Sequence, residues 1–252
     1  MLKITFLGTG TSVGVPKIGC DCPTCVSTDE RDKRLRASIL IEYNGKKILV
    51  DPSIDFRQQA LRAKLFRIDA IFITHCHADH VFGLDDVRPI NLKFGSIPCY
   101  ASERTWQELY QIFGYIFKNQ DSQHSRPQIV PHTLQGKFSI FGLEVTPLEV
   151  LHGKLPVTAF RLNNAAYVTD CKVIPPEALE ALRCLDLLII DGLSRKPHPT
   201  HLSLAESLEY INLLAPKRTL ITHISHDLKH EEVNSELPQN VSLAYDGLEV
   251  TA

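Results

Sequence analysis

Residues 73–80 read ITHCHADH. Three histidines and an aspartate crowd its last six positions, directly behind the apolar run DAIFIT (69–74). A short run rich in β-branched and aromatic residues predicts a buried strand. The polar cluster therefore marks the point where that strand leaves the core. In a strand-end loop alternate residues turn the same way, so His75 and His77 are placed to reach one ion. Asp79 and His80, as the chain enters a helix, are placed to reach a neighbouring one. Imidazole and carboxylate together suit zinc, iron or manganese. A lone histidine is ordinarily a hydrogen-bonded core or loop residue. Three packed this tightly repel one another once protonated, unless a cation keeps them neutral.

Working outward, further strand-like runs cover 3–8, 37–43, 46–51, 97–101, 138–150, 157–162, 165–170, 186–191, 218–223 and 241–246. YNGK (43–46) and LNNA (162–165) carry turn dipeptides and predict hairpins. Helical spacing of apolar residues appears over 55–65, about 102–117, 175–183 and 203–214, with a short helix from 227. Ser203 with Glu206 three residues later forms a capping-box pattern. Strands joined by tight turns give way to strands alternating with helices, twice over. That order favours a mixed α/β sandwich over a doubly wound sheet, and the whole of 1–252 reads as a single domain. KNQDSQHSRPQIVPHTLQ (118–135) reads as a surface loop.

The 252 residues are 44% apolar and 22% charged with a net charge of −2, an ordinary globular composition. No run of like charges signals a nucleic-acid surface. No apolar stretch approaches the roughly 20 residues of a membrane span, and the opening MLKITFLGTG does not read as a secretory signal. A cytoplasmic location is expected, and the seven cysteines are expected to be reduced. Cys76, Cys99, Cys171 and Cys184 are scattered and read as small buried hydrophobes. Cys20, Cys22 and Cys25 are different: GCDCPTC is a C-x-C-x-x-C cluster, and three thiolates need a fourth ligand to close a tetrahedral zinc site.

HCHADH resembles the HxHxDH signature of the metallo-β-lactamase fold superfamily. The other elements that this family leads one to expect follow in order: Asp51 ending KKILVD, His152 in EVLHGK, Asp170 ending AYVTD, and His223 in LITHIS. FLGTGTSVGVPKIGCDCPTC, LITHISHD and YDGLEV narrow the likeness to PhnP-type phosphodiesterases, the phosphoribosyl cyclic phosphodiesterase family. The resemblance covers nearly the whole chain. It implies an αββα sandwich of two mixed sheets flanked by helices. It implies that His75, His77 and His152 hold one divalent cation, that Asp79, His80 and His223 hold a second, and that Asp170 bridges them. Manganese, zinc or iron would fill these positions. Two such ions about 3.5–4 Å apart lower the pKa of a shared water until hydroxide is available near neutral pH. Asp51 would orient a ligating imidazole through its other nitrogen. The same resemblance makes His226 the fourth ligand of a structural zinc on Cys20, Cys22 and Cys25. It places Asp79 and His201 among the catalytic residues, His201 as proton donor to the leaving group, while His198 reads as a loop histidine.

The implied activity is hydrolysis of a small, cyclic phosphodiester of the phosphoribosyl 1,2-cyclic kind. Arg195 and Lys196 read as solvated loop cations. Rival readings are a transfer-RNA 3′-processing endoribonuclease, a non-catalytic metabolite-binding member of the fold, and a thioester or lactam hydrolase. The absence of a basic, glycine-rich arm and the cysteine loop disfavour the nuclease. Neither a membrane nor a nucleic acid is an expected partner, and a homodimer is the default assembly.

Overall fold

The computed structural model describes residues 1–117 and 126–252. In the first half, strands β1 (Lys3–Gly8), β2 (Ser38–Tyr43), β3 (Lys46–Val50), β4 (Ala70–Phe72), β5 (Ile97–Ala101) and β6 (Ile129–Thr133) form one sheet. The second sheet holds β7 (Phe138–Ile140), β8 (Leu143–His152), β9 (Leu155–Leu162), β10 (Ala165–Val168), β11 (Leu187–Asp191), β12 (Arg218–Thr222) and β13 (Val241–Leu243). The last strand, β14 (Glu249–Thr251), returns to the first sheet beside β1. There the chain ends meet: Leu2 N–H donates to the Ala252 carbonyl at 3.2 Å, and Ala252 N–H to the Leu2 carbonyl at 2.9 Å.

Each sheet is antiparallel on one side and parallel on the other. β1, β2 and β3 form a meander, then β3 to β6 run parallel. In the second sheet β7 to β10 are antiparallel and β10 to β13 parallel. The expected hairpins are present, with Asn44 and Gly45 both at positive φ between β2 and β3.

Alternation along the strands sorts side chains into three apolar layers. Ile4, Phe6, Ile39, Ile41, Ile48, Val50 and Phe72 meet Val145, Phe160, Tyr167, Ile189 and Leu220 between the sheets. Leu40, Leu49 and Ile71 point the other way, towards Phe56 of α1 (Phe56–Arg62), Val81 of α2 (Ala78–Val81), Ile90 of α3 (Arg88–Phe94) and Trp106 of α4 (Glu103–Ile112). Ile116 of the short α5 (Gly114–Phe117) joins that layer. On the opposite face, Val168, Leu188 and Ile221 pack on α6 (Pro176–Ala181), α7 (Leu204–Leu214) and α8 (His230–Glu236). The architecture is thus the αββα sandwich that the sequence led us to expect.

Several local expectations are corrected. The loop expected over 118–135 contains β6 from Ile129 to Thr133, while 118–125 lie outside the described residues. Pro131 weakened the strand signal, but β6 is a sheet edge, where a missing N–H is tolerated. The run 138–150 is two strands, broken by a turn with Phe141 and Gly142 at positive φ. The helix expected over 102–117 breaks at Phe113. Cys184 is exposed rather than buried, because it occupies a left-handed turn between α6 and β11. α3 and β14 had no counterpart in the sequence reading.

Every parallel strand ends at the same rim, and there α2 is pinned. Gly83 N–H donates to the Pro52 carbonyl at 3.0 Å, and a Cβ on Gly83 would stand 2.0 Å from the Ser53 carbonyl oxygen. No left-handed backbone is involved, so the requirement for glycine is one of space. Gly83→Ala is expected to lower unfolding free energy by about 1–3 kcal/mol through overpacking, read by urea denaturation.

Candidate metal centre

Six strand ends feed this rim. Asp51 follows β3, His75 lies three residues beyond β4, His152 ends β8, Asp170 lies two residues beyond β10, Asp191 ends β11 and His223 follows β12. Asp51, Asp170 and His223 all have left-handed backbone, with φ of 56°, 50° and 57°. That conformation disfavours non-glycine residues. Here it swings each side chain off the strand direction and into the rim, and such strain concentrates at functional positions.

The donor atoms of His75, His77 and Asp170 lie within 4.8 Å of one another, as do those of Asp79, His80 and His223. Asp170 touches both groups. One of its oxygens is 3.1 Å from His80 Nε2; the other is 3.4 Å from His223 Nε2 and 3.9 Å from His75 Nε2. Asp79 lies 3.4 Å from His80 Nε2 and 3.9 Å from His223 Nε2. The His152 ring is 5.2 Å from that of His77, and its Nδ1–H donates to the Thr200 carbonyl at 2.8 Å. His77 is exposed, whereas His75, Asp79, His80, Asp170 and His223 are buried.

Behind these groups, buried Asp51 accepts from His80 Nδ1, from Thr74 N–H and from the Thr74 hydroxyl, each at 2.8 Å. His80 therefore presents Nε2 to the rim. The charges are strongly coupled. Burial alone would lower the His80 pKa, but Asp170 and Asp51 outweigh it and hold the group well above the imidazole range. Burial likewise opposes protonation of His223, yet Asp170 and Asp79 raise it to about 9. His75 moves the opposite way, well below its ordinary value, because burial is reinforced by cationic His80. Burial would raise the Asp170 carboxyl; His223 and His80 override that and hold it well below the usual range.

The residues fit divalent cations. His75 Nε2, His80 Nε2 and His223 Nε2 are buried and make no hydrogen bond among the described residues, although carboxylate oxygens stand nearby. Buried imidazole nitrogens without partners are costly, and imidazole with carboxylate is a common donor set for such ions.

A second cluster lies apart. Cys20, Cys22, Cys25 and His226 bring their donor atoms within 4.8 Å of one another, with Cys20 Sγ and Cys22 Sγ each 3.3 Å from His226 Nδ1. The first and last rim loops meet here. Ile224 N–H donates to the Thr9 carbonyl at 2.8 Å, and buried Arg34 donates to the Ser225 and Leu228 carbonyls at 3.1 and 2.8 Å. A three-thiol, one-imidazole set is a common zinc shell.

The structure brings every residue proposed from sequence to one of these two clusters or beside it. His201 sits at the edge of the first, its ring 4.3 Å from His152 and 4.6 Å from His223. His198 is half-buried beside it, 5.3 Å away. Arg195 turns aside to Glu236, with contacts of 2.7 and 2.8 Å. Sequence reasoning missed Asp191, whose Oδ2 accepts from His201 Nδ1 at 2.8 Å. The signal was there: DLLIID ends in aspartate just as KKILVD does.

With this geometry established, known proteins can be compared. The family model of the beta-lactamase superfamily domain matches residues 46–224. A crystal structure of a new diphosphatase from the PhnP family is 44% identical, covering 100% of this chain and 98% of its own, with a TM-score of 0.94. The chain belongs to the PhnP family of the beta-lactamase superfamily. This PhnP-family chain is also 38% identical to the octanoyltransferase of Porphyromonas gingivalis, over 98% of its own length but 51% of that protein. It is 27% identical to ribonuclease Z of Methanosarcina acetivorans over 61% of its length and 42% of that protein. The chain spans about half the length, or less, of these two curated relatives.

Backbone and side-chain hydrogen bonds from Cys25 and His226 lower the Cys22 pKa to about 6, while burial raises Cys25 to about 11. In chelator-treated protein, iodoacetamide is therefore expected to alkylate Cys22 at pH 7 well before Cys25, since the thiolate is the nucleophile. Peptide mass mapping over a time course checks the order.

Proposed function

We propose that this chain is a metal-dependent phosphodiesterase acting on a small cyclic phosphodiester, and that 1–252 works as one hydrolase domain. The carrying observation is Asp170, one carboxylate whose two oxygens face two adjacent groups of imidazole and carboxylate donors. His75, His77 and His152 would hold one ion, and Asp79, His80 and His223 the other, with Asp170 shared. Manganese, zinc or iron would suit either position. Bound there, two divalent cations supply an activated water near neutral pH and offset negative charge growing on phosphorus oxygens.

The chain's own residues do the rest. Asp51 turns His80 Nε2 inward. The Thr200 carbonyl holds His152 Nδ1–H, leaving Nε2 for the rim. Asp79 takes part in the chemistry at the second group. His201, its Nδ1–H held by Asp191, would as imidazolium donate the Nε2 proton to the departing oxygen. An alkoxide leaving phosphorus gains most from such a donor. Cys20, Cys22, Cys25 and His226 would form a closed structural zinc site that fastens the first loop to the last, with no position open to substrate.

The 44% identical diphosphatase favours a second reading, a diphosphate anhydride as substrate. The two bonds differ in leaving group, since a phosphate departs readily as an anion. A screen of cyclic diesters, linear diesters, dinucleoside diphosphates and precursor transfer RNA, with manganese and zinc in turn, separates the readings. Cyclic diester turnover is expected to exceed the others. Preferential cleavage of the anhydride, or of RNA with steep salt dependence, would replace the proposal.

His201→Ala is expected to slow hydrolysis of alkyl phosphodiesters by about 100-fold or more while changing 4-nitrophenyl esters little. An equal loss on both would remove His201 from the proton-donor role. Elemental analysis should find two exchangeable ions and one tightly held zinc per chain, and His226→Ala should lose only the last.

A further inference from the structure

Resting on that reading, the geometry points to Asp191 as the positioning residue that sets the His201 tautomer and ties it to the Asp170 turn. Asp191 ends β11 and is fully buried. Its Oδ2 accepts two hydrogen bonds, from His201 Nδ1 and from Cys171 N–H, both at 2.8 Å. Cys171 directly follows Asp170, the left-handed residue that faces both donor groups. The other oxygen, Oδ1, has no hydrogen-bond partner among the described residues and stands 3.8 Å from His223 Nδ1. One carboxylate thus touches elements from three neighbouring strand ends: the β10 turn, the loop carrying His201 and the residue after β12.

Asp191 matches Asp51 in position. Asp51 follows β3 and accepts from His80 Nδ1 and from the N–H of Thr74, the residue before His75. Asp191 ends β11 and accepts from His201 Nδ1 and from the N–H of the residue after Asp170. β3 lies beside parallel β4 in one sheet, and β11 beside parallel β12 in the other. The two sheets therefore each carry an aspartate that clamps an imidazole by Nδ1 and a rim backbone by its amide. They differ in what the clamped imidazole does: His80 joins Asp79 and His223, whereas His201 stands between His152 and His223 at the edge of the rim.

The chemical consequence is specific. A carboxylate accepts only, so it selects the Nδ1–H form of His201 and turns Nε2 towards the rim. Because one oxygen receives both hydrogen bonds, an amide at 191 keeps them only by placing its own oxygen there, which holds Nδ1–H but supplies no carboxylate to stabilise the imidazolium; alanine instead leaves Nδ1 without an acceptor and frees the Nε2–H tautomer. Such a change in a histidine's carboxylate partner alters proton transfer without removing the histidine.

The test compares the zinc-replete wild type with Asp191→Ala, Asp191→Asn and Asp191→Asn/His201→Ala, by long-range proton–nitrogen NMR of the imidazoles and by hydrolysis of an ester series. With the imidazole neutral, the His201 proton is expected on Nδ1 in the wild type and in Asp191→Asn, and on Nε2 in Asp191→Ala. Alkyl ester turnover should fall about 100-fold in Asp191→Asn and 4-nitrophenyl ester turnover less than about 5-fold, with no further loss in the double variant. Metal content should be unchanged. An unaltered tautomer in Asp191→Ala, an equal loss across the ester series, or additive losses in the double variant would each overturn the assignment. Were the wild type inert towards every ester, the phosphodiesterase reading would fail, while the NMR comparison would still decide whether Asp191 sets His201.

Discussion

The rim depends on a carboxylate held away from water. Asp170 is buried, its backbone is left-handed, and its oxygens face His80, His223 and His75 at 3.1–3.9 Å. A buried anion is expensive unless positive charge comes to it. Here the compensation is built into the surroundings: His80 and His223 are drawn towards protonation by the same carboxylate that is itself held ionised. Protons on Nε2 and cations at the same place are alternative answers to one electrostatic demand. That demand explains why the outer groups, Asp51 behind His80 and Asp191 behind His201, are also aspartates at strand ends. They fix which nitrogen faces inward, so that the inner charge balance has a defined geometry.

The sandwich serves this arrangement by directing chain. Parallel strands deliver their carboxyl ends to one edge, and three apolar layers hold those strands in register. Phe72 stacks on Phe160 across the inter-sheet layer with ring centres 5.0 Å apart, three residues before His75. Packing of this kind fixes the rim from below and leaves the rim residues free to be polar and strained. Arg34 does the equivalent work from the side. Wholly buried, it joins Asp32 of the first loop to carbonyls just beyond His223.

Much of this was legible in the chain because HCHADH concentrates four donors in one place and because apolar runs end visibly in Asp51, Asp170 and His223. The capping box at Ser203 and Glu206 was likewise readable, since both partners lie within one turn. What escaped notice has a common cause. Asp191 ends an apolar run as Asp51 does, but its partners lie 10 and 20 residues away, so the strand-end signal alone did not say what it holds. β6 is hidden by Pro131 and by exposure on four of its five residues, features that a sheet edge permits but a propensity reading penalises. β14 is three residues long and is a strand only because β1 offers it a partner some 240 positions away. α3 is short, without a side-chain cap at its start, so its end signals are weak.

The seam between Leu2 and Ala252 bears on how such a unit combines with others. β1 runs from that seam to the rim loop where the Thr9 carbonyl meets Ile224, and β14 runs back antiparallel beside it, so Leu2 and Ala252 lie at the end of the sheet opposite the rim. A polypeptide tethered at either end would start from the side of the sheet away from the donor groups.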